Sequence, residues 1–400
     1  MSDSGDGPGD DPYGGVNPFQ GMPIFGDLAK MFGNQGPMSW DAARQFALSI
    51  ATDGTPEPNV DPVDRMKIEE LARVAELRIA HATGLEPAPS GGPLRILPVN
   101  RTIWTQHTLD AYRPLFEVLA SSLKDDGGAV AAPDPNDPMG FMAPLMKMVA
   151  PMMLGLSAGS MVGHLAQRSF GQYDLPIPRP ASDELLVVGA NIDALSEEWS
   201  LPIDDLRLWI CLSELATHAV LGVPHVRARL EELLLEYVGG FSVDPAALES
   251  RLGEVDPTNP EALQQALGDP AALLGAIQTP AQQAQLPRLE ALVAAIVGYV
   301  DWVMDSVGTT LIGSYGMLTE ALHRRRVEAG EGDRFVGHLL GLEVGQVAYD
   351  RGERFVHGIV ERVGADALGR LWSDERNLPT PSEVDAPGLW LARIDLPDAD

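Results

Sequence analysis

Apolar positions recur at helical spacing along most of the chain. Ser39 reads as an N-cap ahead of Trp40, Ala43 and Phe46. Pro62 opens a second helix to about residue 82, with Ile68, Leu71, Val74, Leu77 and Ile79 as its apolar positions. A third helix is predicted over 111–123, and 125–138 is a loop rich in Asp, Gly and Pro. The short, apolar, β-branched run at 185–191 is the best strand candidate. Pro202 with Asp204 and Asp205 starts a helix that runs to about 221, stopped by Gly222-Val223-Pro224. Another covers about 226–237, and 242–285 reads as short helices punctuated by proline. From Pro287 a long helix carries Leu289, Leu292, Val293, Ile296, Val297, Val300, Val303, Met304 and Val307 on a stripe that follows the 3.6 period. Two more helices reach about 369, and the rest of the chain reads as an irregular tail. The pattern predicts a mainly α protein with a small β-sheet.

Residues 139–167 hold seven of the 14 methionines and look superficially like a membrane segment. The uncharged run between Lys147 and His164 is only 16 residues and contains Pro151, short of the ~20 that a spanning helix needs. Gly155, Gly159 and Gly163 recur at i, i+4 and i+8, which lets another backbone come close. A buried, tightly packed helix is the expectation, with no membrane span.

Composition narrows the function. There are 28 Lys and Arg against 57 Asp and Glu, a net charge of −29. That charge speaks against nucleic acid as a partner, because nucleic acid needs a basic face. One cysteine, Cys211, leaves no internal disulfide and no Cys-rich metal site; on an apolar helix it reads as a small buried hydrophobe. Residues 1–38 are acidic and rich in Gly, Pro and Met, and are expected to be a disordered tail. Their start lacks the basic and apolar regions of a secretory signal, so a soluble, cytoplasmic protein is expected. Behind the tail, 39–180 reads as an N-terminal helical region and 181–400 as the core of the protein.

Several long blocks carry a resemblance. They are NPFQGMPIFGDLAKM near the start, GHLAQRSFGQYDLPIPRP, the helix at 206–235, VGYVDWVMDSVG, and LWSDERNLPTPSEVDAPGLWLAR at the close. In this order they resemble an actinobacterial family of zincin-like proteins described as zinc-dependent metalloproteases or hydrolases. The resemblance implies a zincin-like fold for the core. It also implies a helix carrying H-E-x-x-H, in which two histidines one turn apart hold zinc and the Glu is general base to the metal-bound water. Aligned on its flanks, this chain has Ser213-Glu214-Leu215-Ala216-Thr217 there. Hydroxyl residues fill both histidine positions, and only the general-base position, Glu214, keeps its residue. The third ligand of the family is a Glu on a later helix, in a segment like E-G-x-x-D/E-x-V-M-D. Here Val297 stands in its place, while Asp301, the acidic residue that supports that ligand, is kept.

A neutral hydroxyl is a poor zinc ligand and valine is none. The expectation is therefore a zincin-fold protein with vestigial positions at Ser213, Thr217 and Val297, catalytically inactive, without a cofactor, and with a binding or scaffold role, its cleft open to a peptide or protein partner; a purely structural or assembly protein held by its Met-rich helix is a further reading. The alternative is an active metal-dependent hydrolase holding zinc through Glu214, His218 and His225. Blander readings accompany each residue: Ser213 and Thr217 bonding carbonyls one turn back, Val297 as core, and Glu214 paired with His218. The basic run His323-Arg324-Arg325-Arg326 reads as a solvated, salt-bridged helix face. The sequence names neither a substrate nor an oligomeric state.

Overall fold

The computed structural model describes residues 36–125, 142–243, 276–327 and 336–396, apart from 87, 89, 90, 278, 338 and 343. α1 (Trp40–Ala51) starts as expected at Ser39, whose hydroxyl accepts the Ala42 N–H. α2 (Pro62–Thr83) is capped by Asp61 and closed by Gly84 in the left-handed region (φ 68°). Its buried stripe is Ile68, Ala72, Ala75 and Ile79, one residue per turn. Val74 and Leu77, expected inside, are 42% and 71% exposed. The alanines give the closer match to the helical period, and their small side chains let the helix pack tightly.

β1 (Arg95–Val99) and α3 (Arg101–Ala111) precede α4 (Arg113–Asp125), where one helix from 111 was expected. Asn100 caps α3 by accepting the Ile103 N–H at 3.0 Å. The remainder of the predicted loop, 126–138, lies outside the described residues, as do 1–35 of the tail. The Met-rich segment forms α5 (Met142–Arg168), which runs through Pro151. Its three glycines lie on α1: a Cβ on Gly159 would come within 3.1 Å of the Ala43 Cα, and one on Gly163 within 2.9 Å of the Ala47 carbonyl.

β2 (Glu184–Val188) pairs in parallel with β1, Arg95 opposite Glu184 through Val99 opposite Val188. Leu185 to Val188 are all buried, which is why this strand reads as a continuous apolar run. It stops at Val188 and not at 191, because Gly189 already begins α6 (Gly189–Trp199). The buried Asn191 amide there donates to the carbonyls of Ala166 and Ser169.

α7 (Ile203–Gly222) and α8 (Pro224–Gly239) meet at an 89° bend. Arg207 fixes α7 in place: its buried guanidinium reaches Asp64 of α2 at 2.9 Å and Asp193 of α6 at 2.8 Å. β3 (Ser242–Val243) and β4 (Ala276–Ile277) pair antiparallel. The short helices expected between them fall on 244–275, outside the described residues. α9 (Pro280–Leu311) begins well ahead of Pro287, because Thr279 and Gln282 form a capping box. Its apolar window is long enough to cross a bilayer, but 78% of it is buried inside the protein, as befits the central helix of a core.

α10 (Tyr315–Val327) and α11 (Gln346–Val363) follow, then a 3-10 helix (Ala365–Trp372) and a short turn (Glu375–Asn377). The expected irregular tail is folded, as α12 (Pro381–Asp385) and α13 (Pro387–Ile394). Trp390 is buried there and donates its indole N–H to the Asn377 carbonyl at 2.6 Å, while Arg393 joins Glu383 to the Leu378 carbonyl. One apolar core runs through both halves of the chain. The architecture is mainly helical with a small two-stranded parallel sheet.

Candidate functional site

α7 and α9 lie side by side in the core, and their facing turns carry the residues singled out above. Ser213 and Thr217 on α7 line one small pocket of about 40 Å³ together with Val297 and Asp301 on α9. Tyr173, Asp174, Arg326 and Tyr349 close it. Those five residues other than Thr217, Val297 and Asp301 (Tyr173, Asp174, Ser213, Arg326 and Tyr349) also line a larger cavity of about 390 Å³, so the two spaces adjoin. Glu214 belongs to the wall of the larger one.

The Glu214 side chain turns away from the small pocket toward the loop after α5. Its carboxyl accepts the Gln172 N–H at 2.8 Å and the Tyr173 N–H at 3.1 Å. The loop is held there by the Trp104 indole, which donates to the Gly171 carbonyl at 2.6 Å, and by the Phe170 carbonyl, which accepts the Val188 N–H. A glycine at 171 makes room for this contact, because a Cβ there would overlap the Glu214 carboxyl and displace it. The loop also brings a phenol to the helix: the Tyr173 hydroxyl lies 2.9 Å from the His218 Nδ1.

Burial pushes the Glu214 carboxyl up to about 8, helped by the nearby Asp174 charge and opposed by the two N–H bonds. Unfolded, it would titrate near the ordinary 4.5. Between those values the native state holds one proton more than the unfolded chain, so stability falls as pH rises. The loss is up to about 1.4 kcal/mol per pH unit and levels off above about pH 8. Glu214→Gln is expected to flatten that slope. Urea unfolding at about pH 5 and about pH 8 checks it: parallel losses in variant and parent would mean that Glu214 is ionised in the native protein.

The basic run does not form the solvated face its sequence suggests. Arg324 does pair with Glu320 on the surface at 2.8 Å. Arg325 and Arg326 turn inward and line the large cavity, with Arg168 of α5. Arg325 lies 3.8 Å over the Phe170 ring and donates to the Arg168 carbonyl; Arg326 lies 4.1 Å over the Tyr349 ring, with Asp301 at 3.7 Å. Asp174 accepts the Phe170 N–H, and burial raises its pKa against the charges of Arg325 and Arg168. Asp301 is pushed up to about 6 by burial, with Arg326 pulling the other way. Cys211 is buried and its thiol is pushed up to about 12, so it is inert filling, as expected.

The donors at hand do not suit zinc. The Thr217 hydroxyl donates to the Ser213 carbonyl at 3.0 Å, as hydroxyls inside helices do; Val297 has nothing to offer. The alternative set of Glu214, His218 and His225 is not assembled. Glu214 is committed to the 172–173 backbone and His218 to Tyr173, and His225 sits past the 89° bend on α8. Among the described residues no group of three His, Cys, Asp or Glu side chains is placed to hold a metal ion.

A helical core with two central helices facing each other across a buried pocket, flanked by a short parallel sheet, defines a zincin-like protein. The chain belongs to the zincin-like metallopeptidase family, whose model matches residues 38–391. It is similar in structure to a protein of Chloroflexus aurantiacus described as a "putative hydrolase with a novel fold". The two are 26% identical with a TM-score of 0.62, over 90% of this chain and 100% of that one. No curated protein matches the chain.

Proposed function

We propose that this protein is a member of the family that has lost zinc-dependent hydrolysis and uses the remaining pocket and cavity to bind a ligand. One observation carries the reading. Ser213, Thr217 and Val297, which the family resemblance places at the ligand positions, line a single pocket that holds no imidazole and no thiolate. Its carboxyl groups, Asp174 and Asp301, are accompanied by Arg325 and Arg326. Glu214 supports the same reading. Its carboxyl oxygens accept the Gln172 and Tyr173 N–H groups, so they are engaged by a backbone loop and are not presented to the pocket of Ser213, Thr217 and Val297.

The ligand is a peptide or protein segment, or a small molecule of like chemistry, in a protein of the cytoplasm. The test is elemental analysis of the purified, untagged full chain, beside an assay of casein cleavage. No zinc above the buffer and no cleavage are expected. Near one equivalent of zinc with cleavage abolished by a chelator would overturn the reading.

A further inference from the structure

We infer that the cavity beside Ser213 binds a monovalent carboxylate with an apolar body, its head group held between Arg325 and Arg326. The inference rests on the cavity being a binding site, as proposed above, and names what it takes. A cavity of about 390 Å³ is of ligand size. In a chain of net charge −29, three guanidinium groups, those of Arg168, Arg325 and Arg326, line this one space. Two of them sit over aromatic rings, Arg325 over Phe170 at 3.8 Å and Arg326 over Tyr349 at 4.1 Å. A ring against a guanidinium holds it in place without using its N–H groups; Arg325 gives one of them to the Arg168 carbonyl, and the others are donors suited to a carboxylate. The ion pair of Arg326 with Asp301 spans 3.7 Å, longer than the roughly 2.7–2.9 Å of a charge-assisted hydrogen bond.

The rest of the wall is mostly apolar and includes Trp209, Leu322 and Leu342. The Trp209 indole N–H is buried with no acceptor among the described residues, a further donor on the same wall. Asp174 sets the upper limit on charge. It lines the same cavity, so a dianionic phosphate meets a carboxyl group where a monoanion can still be matched by the arginines. The shared chemistry is a carboxylate on an apolar group, which a free organic acid and the C-terminus of a peptide both supply.

Calorimetric titration of the full chain separates these sources. The probes are 4-phenylbutyrate, 4-phenylbutyramide, and acetyl-Ala-Ala-Leu as the acid and as the amide. At least one acid is expected to bind, with its amide about tenfold weaker or worse. Saturation by phenylbutyrate alone assigns the site to small organic acids; saturation by the peptide acid assigns it to a C-terminus. Arg326→Gln and Arg325→Gln are each expected to weaken the acid about tenfold and leave the amide unchanged. Arg325 also donates to the Arg168 carbonyl, so Arg326→Gln serves where Arg325→Gln fails to fold. No binding of either acid, equal binding of acids and amides, or acid binding indifferent to Arg326→Gln would each overturn the inference. Zinc measured in the same preparation keeps the two readings apart. A zinc-free protein that ignores both acids loses only this inference, whereas carboxylate binding abolished by a chelator would overturn both.

Discussion

The combined variant Ser213→His, Thr217→His, Val297→Glu is expected to retain close to one equivalent of zinc through dialysis, where the parent retains none. The three positions already line one pocket. Histidines at 213 and 217 stand one turn apart on the same face of α7, the spacing with which a helix presents two imidazoles to one metal. A carboxylate at 297 comes from the facing helix, one turn before Asp301. Complete structural sites in small peptides bind zinc with about 10–16 kcal/mol, and about 8 kcal/mol is already micromolar. A strained site with three ligands is therefore still measurable. The substitution has a cost without metal, because Val297 is 7% exposed and a buried carboxylate is unfavourable there. The melting temperature should accordingly fall without zinc and recover when zinc is added. Should the triple variant not fold, the pair Ser213→His and Thr217→His spares Val297 and is expected to bind zinc more weakly but above the parent. Retention no better than the parent in both variants would mean that these residues do not stand where the family holds its metal.

The parts of the molecule that could be read from sequence are those in which a strong local signal coincides with burial. α7 and α9 have apolar stripes that tertiary packing simply completes, and β2 is a four-residue apolar run buried on both faces. β1 has little local signal, because Arg95-Ile-Leu-Pro-Val99 is short and holds a proline, and its identity as a strand comes from β2 alongside it. The C-terminal segment hides its helices for a related reason. Pro381 and Pro387 look like breakers but occupy the first turns of α12 and α13, where proline is welcome. In the site, the shared face of Ser213 and Thr217 follows from their spacing. The role of the arginines does not. Arg324, Arg325 and Arg326 point about 100° apart on α10, and only the position of Phe170 and Tyr349 decides that the last two face inward. The cradle of Glu214 is likewise invisible, since it needs Gly171 and a loop that belongs to another part of the chain.

Gly352→Ala is expected to be the most destabilising single methyl that can be added to this site's frame. α9 and α11 touch through backbone: a Cβ on Gly352 would overlap the Ala294 carbonyl oxygen and come within 2.9 Å of the Gly298 Cα. The obstruction is main chain in the middle of a buried helix, so no side chain can swing aside, and the helices must separate by roughly an ångström or more. Overpacking of this kind costs about 3 kcal/mol or more, which in a chain of this size lowers the melting temperature by about 3–5 °C. Gly316→Ala is the matched control, because Gly316 is an exposed helical position with open space around it. That change is expected to be neutral or to stabilise by up to about 1 kcal/mol. Equal melting of the two variants would show that α9 and α11 do not meet at Gly298 and Gly352. The consequence reaches the cavity, because α11 carries Tyr349 and α9 carries Val297 and Asp301. Moving the helices apart withdraws the Tyr349 ring from Arg326, so Gly352→Ala should weaken carboxylate binding even at temperatures where the protein stays folded. The two glycines thus set the width of the pocket from behind it, and the seating of Arg326 over Tyr349 depends on a contact in which no side chain takes part.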